Sequence, residues 1–381
     1  MNTTARKNAT ALIVLADARH GQTGSAFAVL DRKDRKDGAR GPFYICQFKD
    51  ETETLSAPVY GDSPLFEAAE GWVEKFAYYI QFKGEQSQSY GMQLKLTSAR
   101  LATEDDRALG YEPERLFEQP RIPPEKALAT IEKICTDKIK DEKLLALVEN
   151  VLARLRTEFL RMPAAQGMHH PFLGGLVEHV RSVTRVAAWL GEHYDHYYGD
   201  LNPRIDVGLI VASAVLHDIG KLFELEIQGG GARYRTRGRL IGHIVMGRDV
   251  VREAAAQIEG FPEETLLRLE HSILSHHGKQ EFGSPVLPST IEAFILSAAD
   301  DLDAKINEIV RGFEEHGVDQ TGLTRKKVFA LGRMIYRGVI TPPDSEVDTQ
   351  VDPDAAVEAD VEPEVRHEPV PVSEVENDLG E

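Results

Sequence analysis

The sequence predicts an α+β, multidomain protein in which a small β barrel precedes a large all-α domain. Three observations predict it. Residues 10 to 100 break into short runs rich in apolar and aromatic residues, separated by Gly, Asp and Ser turns. From Pro123 onward the apolar period lengthens to that of a helix. Histidines and aspartates then recur inside those helical apolar faces. At 381 residues the chain is long enough for two or three structural units.

The first five runs read as strands: "ALIVLADARHG", "SAFAVLDRK", "GPFYICQFKDETETLSAPVYG", "FAYYIQFKGEQ" and "YGMQLKLTSARLA". One helical piece, "PLFEAAEGWVEKF", interrupts them. That order suits a five-stranded barrel of the OB type. Tyr44, Phe48, Tyr79 and Phe82 are candidates for a platform on which single-stranded bases stack, although such aromatics more often fill a barrel core. The stretch "DRKDRKDGAR" reads as a basic loop. "PPEKALATIEKICTDKIKDEKLLALVENVLARLRTEFLRMP" predicts two amphipathic helices with Pro in the first turn, and helical patterning continues to about residue 337.

The net charge of -18 is unevenly spread. From Asp344 to Glu381 fourteen acidic residues face one basic residue, Arg366, and four prolines replace large apolar groups. Such a composition cannot bury enough surface to fold and predicts a disordered acidic tail. Hydrophobic residues make up 42% of the chain, but no apolar run approaches the roughly 20 residues that span a bilayer. "ALIVLA" after Arg6 and Lys7 is shorter than a signal-peptide core. Cys46 and Cys135 give no disulfide framework. The expectation is a soluble, cytoplasmic protein without a membrane partner.

The chemistry is concentrated in "VASAVLHDIGKLFEL", where His217, Asp218 and Lys221 stand in a run that otherwise reads as core. Burying such groups is costly unless something pairs with them. "PFLGGLVEHVRSVTRVAAWL" carries His179 beside an apolar stripe, "LIGHIVMGRDVV" carries His243, "LEHSILSHHGK" ends in His276 and His277, and "TIEAFILSAADDLDAKI" places Asp300 after an apolar turn. Imidazole and carboxylate without thiolate suit Mn²⁺, Fe²⁺, Co²⁺, Ni²⁺ or Zn²⁺. Seven groups exceed one tetrahedral centre and imply two ions bridged by a carboxylate, for which Asp218 is the natural choice. The chemistry implied is hydrolysis of a phosphate ester, with Asp218 and Lys221 as catalytic candidates.

The order His179, then His217-Asp218, then Asp300 resembles the HD superfamily of metal-dependent phosphohydrolases, and the added His243, His276 and His277 resemble its two-metal members. "FLRMPAAQGMHHPFLGGLVEHV", "VLHDIGKLFEL", "LIGHIVMG" and "LSHHGKQEFGSPVLPSTIEAFILSAADDLDAKIN" look like segments of the YhaM-type 3′-5′ exoribonucleases, which join an OB-type module to an HD domain. The resemblance covers roughly residues 155 to 310 by motif and residues 1 to 120 by architecture alone. It implies hydrolysis of single-stranded RNA, and sometimes DNA, from the 3′ end with Mn²⁺ or a similar ion, and a homo-oligomer.

The resemblance also implies that Lys221 contacts the substrate phosphate. Lys279, at a similar offset in "HHGK", and His169 and His170 before the first ligand helix are further substrate-binding candidates. Gly220 and Gly278 let the backbone approach a ligand or turn, and Asp301 and Asp303 are expected to cap the turn or support Asp300. The organisation expected is a nucleic-acid-binding barrel over 1–105, a helical connector over 106–162 and the HD domain over 163–315. A helical extension over 316–343 and the tail over 344–381 complete it. Two rivals remain: a phosphodiesterase or nucleotidase for a small nucleotide, and a non-catalytic nucleic-acid-binding protein with a degenerate HD domain. The barrel favours a strand substrate over a small nucleotide.

Overall fold

A computed structural model describes residues 11–39, 41–166, 170–228 and 230–338. Strands β1 (Thr23–Gly38), β2 (Gly41–Lys49), β3 (Thr54–Tyr60), β4 (Ala77–Ser87) and β5 (Gly91–Leu101) close a barrel in the order β1-β2-β3-β5-β4, with β1 antiparallel to both β2 and β4. Helix α1 (Phe66–Glu70) lies between β3 and β4, as expected for an OB-like order. Period-two alternation turns Tyr44, Cys46 and Phe48 of β2 and Tyr78, Ile80 and Phe82 of β4 into one interior cluster. Tyr44, Phe48 and Phe82 are therefore core, not a stacking platform, because a small barrel fills its interior with side chains. Tyr79 packs against Phe27, with the Arg100 guanidinium 5.0 Å above its ring.

Two expectations for the barrel are corrected. "ALIVLADARHG" makes only a bridge from Leu12 to Ser25 and a 3₁₀ turn, Leu15–Asp17. Side chains take the donors a strand would need: the Asp50 carboxylate accepts from Leu15 N–H (2.6 Å) and Thr52 Oγ1 from Ala16 N–H (3.1 Å). The basic stretch is not a loop but the continuation of β1, paired with β2 from Lys33↔Cys46 to Gly38↔Gly41. Its charges are partly structural, since Lys33 Nζ donates to the carbonyls of Ala69, Glu70 and Trp72 at 2.9, 2.9 and 2.7 Å and so caps the end of α1.

A short helix, α2 (Pro113–Leu116), leads to α3 (Pro124–Lys138) and α4 (Glu142–Arg161), the latter capped by Asp141. The remaining helices are α5 (Gly175–Tyr197), α6 (Val207–Leu216), α7 (Lys221–Glu224), α8 (Thr236–Ile241), α9 (His243–Ala256), α10 (Glu263–Ser275) and α11 (Ile291–His316). A hairpin of β6 (Leu225–Gln228) and β7 (Gly231–Tyr234) follows α7. Helix α6 is buried from Leu209 to Leu216 and is packed on by α5, α10 and α11. That explains its all-round apolar sequence.

The helices expected as a connector instead share this core. Leu128, Ile131, Leu147 and Val151 pack in one cluster with Val177, Val180, Val211 and Val215. The C-terminal extension is not helical over its described part: Val318↔Thr324, Leu323↔Tyr336 and Val328↔Arg333 form isolated bridges around a 3₁₀ turn, Phe329–Leu331. Asp319 Oδ1 accepts from the N–H groups of Thr321 and Leu323, which diverts the backbone from a helix. The acidic tail lies outside the described residues. Among those described, no helix is long and apolar enough to cross a membrane.

The capping role of Lys33 has a measurable consequence. Lys33→Ala should destabilise the protein by about 1–2 kcal/mol in urea unfolding, because three carbonyls lose a charged donor. Arg35→Ala, on the same hairpin but exposed, should stay within ~0.5 kcal/mol of the parent.

Candidate metal centre

Five histidines and two aspartates from α5, α6, α9, α10 and α11 converge on one point. His179 lies in the first half of α5, His217 and Asp218 follow the end of α6, His243 opens α9, His276 and His277 follow α10, and Asp300 lies within α11. Asp218 stands between two sets of imidazoles. Its Oδ2 is 3.5 Å from His179 Nε2 and 3.3 Å from His217 Nε2, and those imidazoles reach Asp300 Oδ1 at 3.2 and 3.7 Å. Its Oδ1 faces the other way, 3.5 Å from His243 Nε2 and 3.8 Å from His276 Nε2. Ligand atoms of His179, His217 and Asp300 lie within 4.8 Å of one another, and so do those of His243, His276 and His277.

Each of the five imidazoles uses Nδ1 on an outer partner. His179 Nδ1 meets Asp303 Oδ2 (2.7 Å), His217 the Ala214 carbonyl (2.8 Å), His276 the Ile273 carbonyl (2.7 Å) and His277 the Phe282 carbonyl (2.7 Å). His243 Nδ1 is 3.1 Å from both carboxylate oxygens of Glu224. Nδ1 is thereby occupied and Nε2 is aimed inward, the arrangement by which outer partners fix a ligand's tautomer and direction. Buried Nε2 of His217, His243 and His276 and Oδ1 of Asp218 have no hydrogen-bond partner. Each would cost about 1–3 kcal/mol, a sum comparable with the ~5–15 kcal/mol net stability of a typical protein. A divalent ion on each side of Asp218 would satisfy these atoms, so the residues fit the metals their sequence pattern implies.

The electrostatics agree with a site built for cations. Burial pulls the His179 imidazole down, but the carboxylates of Asp218, Asp300 and Asp303 outweigh it and hold the group well above its usual value. Burial likewise opposes His217, and Asp218 with Asp300 lifts it to about 9. Burial alone would raise Asp218, yet Lys221 and then His217 hold it well below the usual carboxylate range. Burial, His277 and His217 keep His276 well below 6.5, so it stands neutral and able to ligate.

Lys221 is buried, with Nζ 2.6 Å from Asp218 Oδ2. It also lines a cavity of 370 Å³ together with Asp218, His276, His277, Asp300 and Lys305. Gly220 lies in the turn between α6 and α7, and a Cβ there would stand 2.0 Å from the His243 carbonyl oxygen, so its absence lets the start of α7 pack on α9. Lys279 is not in the centre. It is exposed, 5.2 Å over the Phe282 ring and 3.6 Å from Glu281. His170 is buried and faces Asp303 (3.3 Å) and Glu178 (3.4 Å) at the back of His179, while His169 lies outside the described residues.

Asp303 supports His179 and His170 in place of Asp300, and Asp301 pairs with exposed Lys305. Glu224 was missed in the sequence. Its only signal is an acid between apolar residues in "KLFEL", and its partner stands 19 positions on.

The fold and site define an HD-type hydrolase built around divalent metal, and residues 176–305 match the HD domain family. Three relatives span both parts of the molecule. The 3′-5′ exoribonuclease YhaM of Shouchella clausii is 34% identical over 301 residues, covering 78% of this chain and 87% of its own. Those of a Geobacillus species and of Bacillus velezensis are 32% and 31% identical, covering 79% and 78% of this chain and 87% and 88% of theirs. The chain belongs to the YhaM family of 3′-5′ exoribonucleases.

If the outer carboxylates orient the ligands, Glu224→Gln and Asp303→Asn should each weaken Mn²⁺ binding by about 10–100-fold, read by calorimetric titration of folded protein. Gly220→Ala should do the same by displacing the His243 backbone.

Proposed function

We propose that the chain removes nucleotides from the 3′ end of single-stranded RNA by hydrolysing phosphodiester bonds, with single-stranded DNA as a secondary substrate. His179, His217, Asp218 and Asp300 hold one divalent ion, and Asp218, His243, His276 and His277 hold a second. The observation that carries this reading is the division of Asp218, whose two oxygens face two separate histidine sets. Two bound ions, Mn²⁺ first among those an imidazole and carboxylate set accepts, would polarise a phosphoryl oxygen and lower the pKa of a water.

The chain's own groups do the rest. Lys221 holds the Asp218 carboxylate in its bridging orientation and presents a fixed positive charge to the cavity, where negative charge grows on the phosphoryl oxygens. Helix α6, buried from Leu209 to Leu216, is the fixed base from which His217 and Asp218 follow. The OB-like barrel supplies a module suited to a strand, which a small-nucleotide enzyme would not need. The names of the relatives support RNA as the substrate.

Metal analysis of protein loaded with Mn²⁺ should approach two ions per chain, Asp218→Ala should lose both, and His277→Ala should retain one. A stoichiometry of one with full activity would overturn the dinuclear assignment. With 5′-labelled single-stranded RNA and Mn²⁺, products should shorten as a ladder from the 3′ end; release of internal fragments, or activity confined to mononucleotide esters, would overturn the exoribonuclease reading. Lys221→Met should lower turnover about 10²-fold while metal content under saturating Mn²⁺ stays within about twofold of the parent, the scale of losing one preorganised charge.

A further inference from the structure

Between Glu226 and Asp249 the chain has no acidic residue, while Arg233, Arg235, Arg237, Arg239 and Arg248 supply five positive charges in a protein of net charge -18. The segment carrying four of them runs from β7 through α8 and is pinned to the metal centre at both ends. Arg235 N–H donates to the Glu224 carbonyl at 2.9 Å, and His243 N–H donates to the Glu224 carboxylate at 3.0 Å. Gly238 lies directly on Glu224, where a Cβ would stand 2.2 Å from the carbonyl oxygen. The whole of 235–243 is therefore seated on the residue that orients His243.

The guanidinium groups point outward from this base. Arg233 pairs with Glu226, whereas Arg235, Arg237 and Arg239 are exposed and form no ion pair with described residues. Arg239 instead lies 5.1 Å over the ring of Tyr234, itself 37% exposed. On one side Tyr234 pairs across the hairpin with Leu225, directly after α7, whose first residue Lys221 lines the central cavity. On the other side Arg233 lines a cleft of 390 Å³ whose opposite wall is the barrel segment Trp72 to Lys75. Glu70 and Glu74 also line that cleft, so a polyanion would be held off its floor and onto the arginine face.

We infer that Arg235, Arg237 and Arg239, with Tyr234, form a phosphate-binding rail that carries the RNA strand from the barrel to the metal centre; this deepens the proposed function and rests on it. Guanidinium groups pair with phosphate oxygens in a planar fork, and unpaired cations in a row raise the local potential for a polyanion. An aromatic ring backed by arginine is a platform on which a base stacks without regard to its identity. A ligand with one phosphate would use one such group. Three exposed guanidinium groups within five residues suit a strand of repeated phosphodiesters.

The test uses the full chain loaded with Mn²⁺ and a labelled, unstructured oligouridylate with phosphorothioate links, which keep the charge and resist cleavage, followed by fluorescence anisotropy. Arg235→Gln/Arg237→Gln/Arg239→Gln should raise Kd at least about tenfold and make the slope of log affinity against log salt shallower by about 2, since each phosphate contact on a single strand releases ~0.7 counterion. The corresponding Arg→Lys triple variant should restore the slope, which a purely structural role would not do. Should the Gln triple variant fail to fold, Arg237→Gln alone reads out as a slope change of ~0.7. Wild-type affinity and slope in a folded Gln variant would overturn the rail. Shortening of 5′-labelled RNA by the parent with Mn²⁺ is scored separately: a parent that binds through these arginines but does not shorten RNA defeats the exoribonuclease reading and leaves the rail standing.

Discussion

The rest of the molecule is arranged around one carboxylate. Asp218 is nearly inaccessible, its two oxygens face histidines from different helices, and its charge is held by Lys221 one turn later. An isolated carboxylate at this depth would be protonated or would unfold the protein. Here the lysine and two of the imidazoles keep it ionised, and the unsatisfied atoms beside it are the ones a divalent ion would engage. The same low-dielectric surroundings that make an unpaired group costly also strengthen a completed set.

Such a set needs a scaffold that does not yield. Helix α6 supplies it by being apolar on every side, so that α5, α10 and α11 all pack on it and the ligands they carry meet at its end. The outer partners then remove the remaining freedom: three backbone carbonyls and two carboxylates occupy the five Nδ1 atoms. Glu224 has a second role, because its main chain and side chain together seat the segment from Arg235 to His243. A group that orients a ligand thus also fixes a strip of the surface, which joins the metal centre mechanically to the face toward the barrel.

The barrel makes a contrasting use of its polar groups. Lys33 lies in a stretch whose composition suggests a free cationic loop, yet its ammonium closes a helix end. Of the four aromatics that suggested a stacking platform, Tyr44, Phe48 and Phe82 line the interior. A second group of cations, Arg235, Arg237 and Arg239, unpaired among the described residues, stands in the helical domain on the segment seated on Glu224. The division of labour between the two parts is therefore less strict than their fold types suggest.

Much of this was legible in the sequence because it depends on period and on residue type. The change from alternation to a helical repeat near Pro123 marks the two parts, and a histidine or aspartate set within an apolar helical face can be there only if something engages it. That reasoning singles out His179, His217, Asp218, His243, His276, His277 and Asp300, and the structure brings their side chains together. Local pattern is silent on partners far along the chain. It could not place Asp303 against His179, 124 positions away, or turn Lys221 toward Asp218 and Lys279 away from the centre. Nor could it pair "DRKDRKDG" with β2 or fold the connector helices into the core. Sequence by itself determined which groups must be buried and what chemistry they suit. Only tertiary structure decided which atom of each group faces which neighbour, because those choices are made by contacts between elements that the chain brings together after its local structure is set.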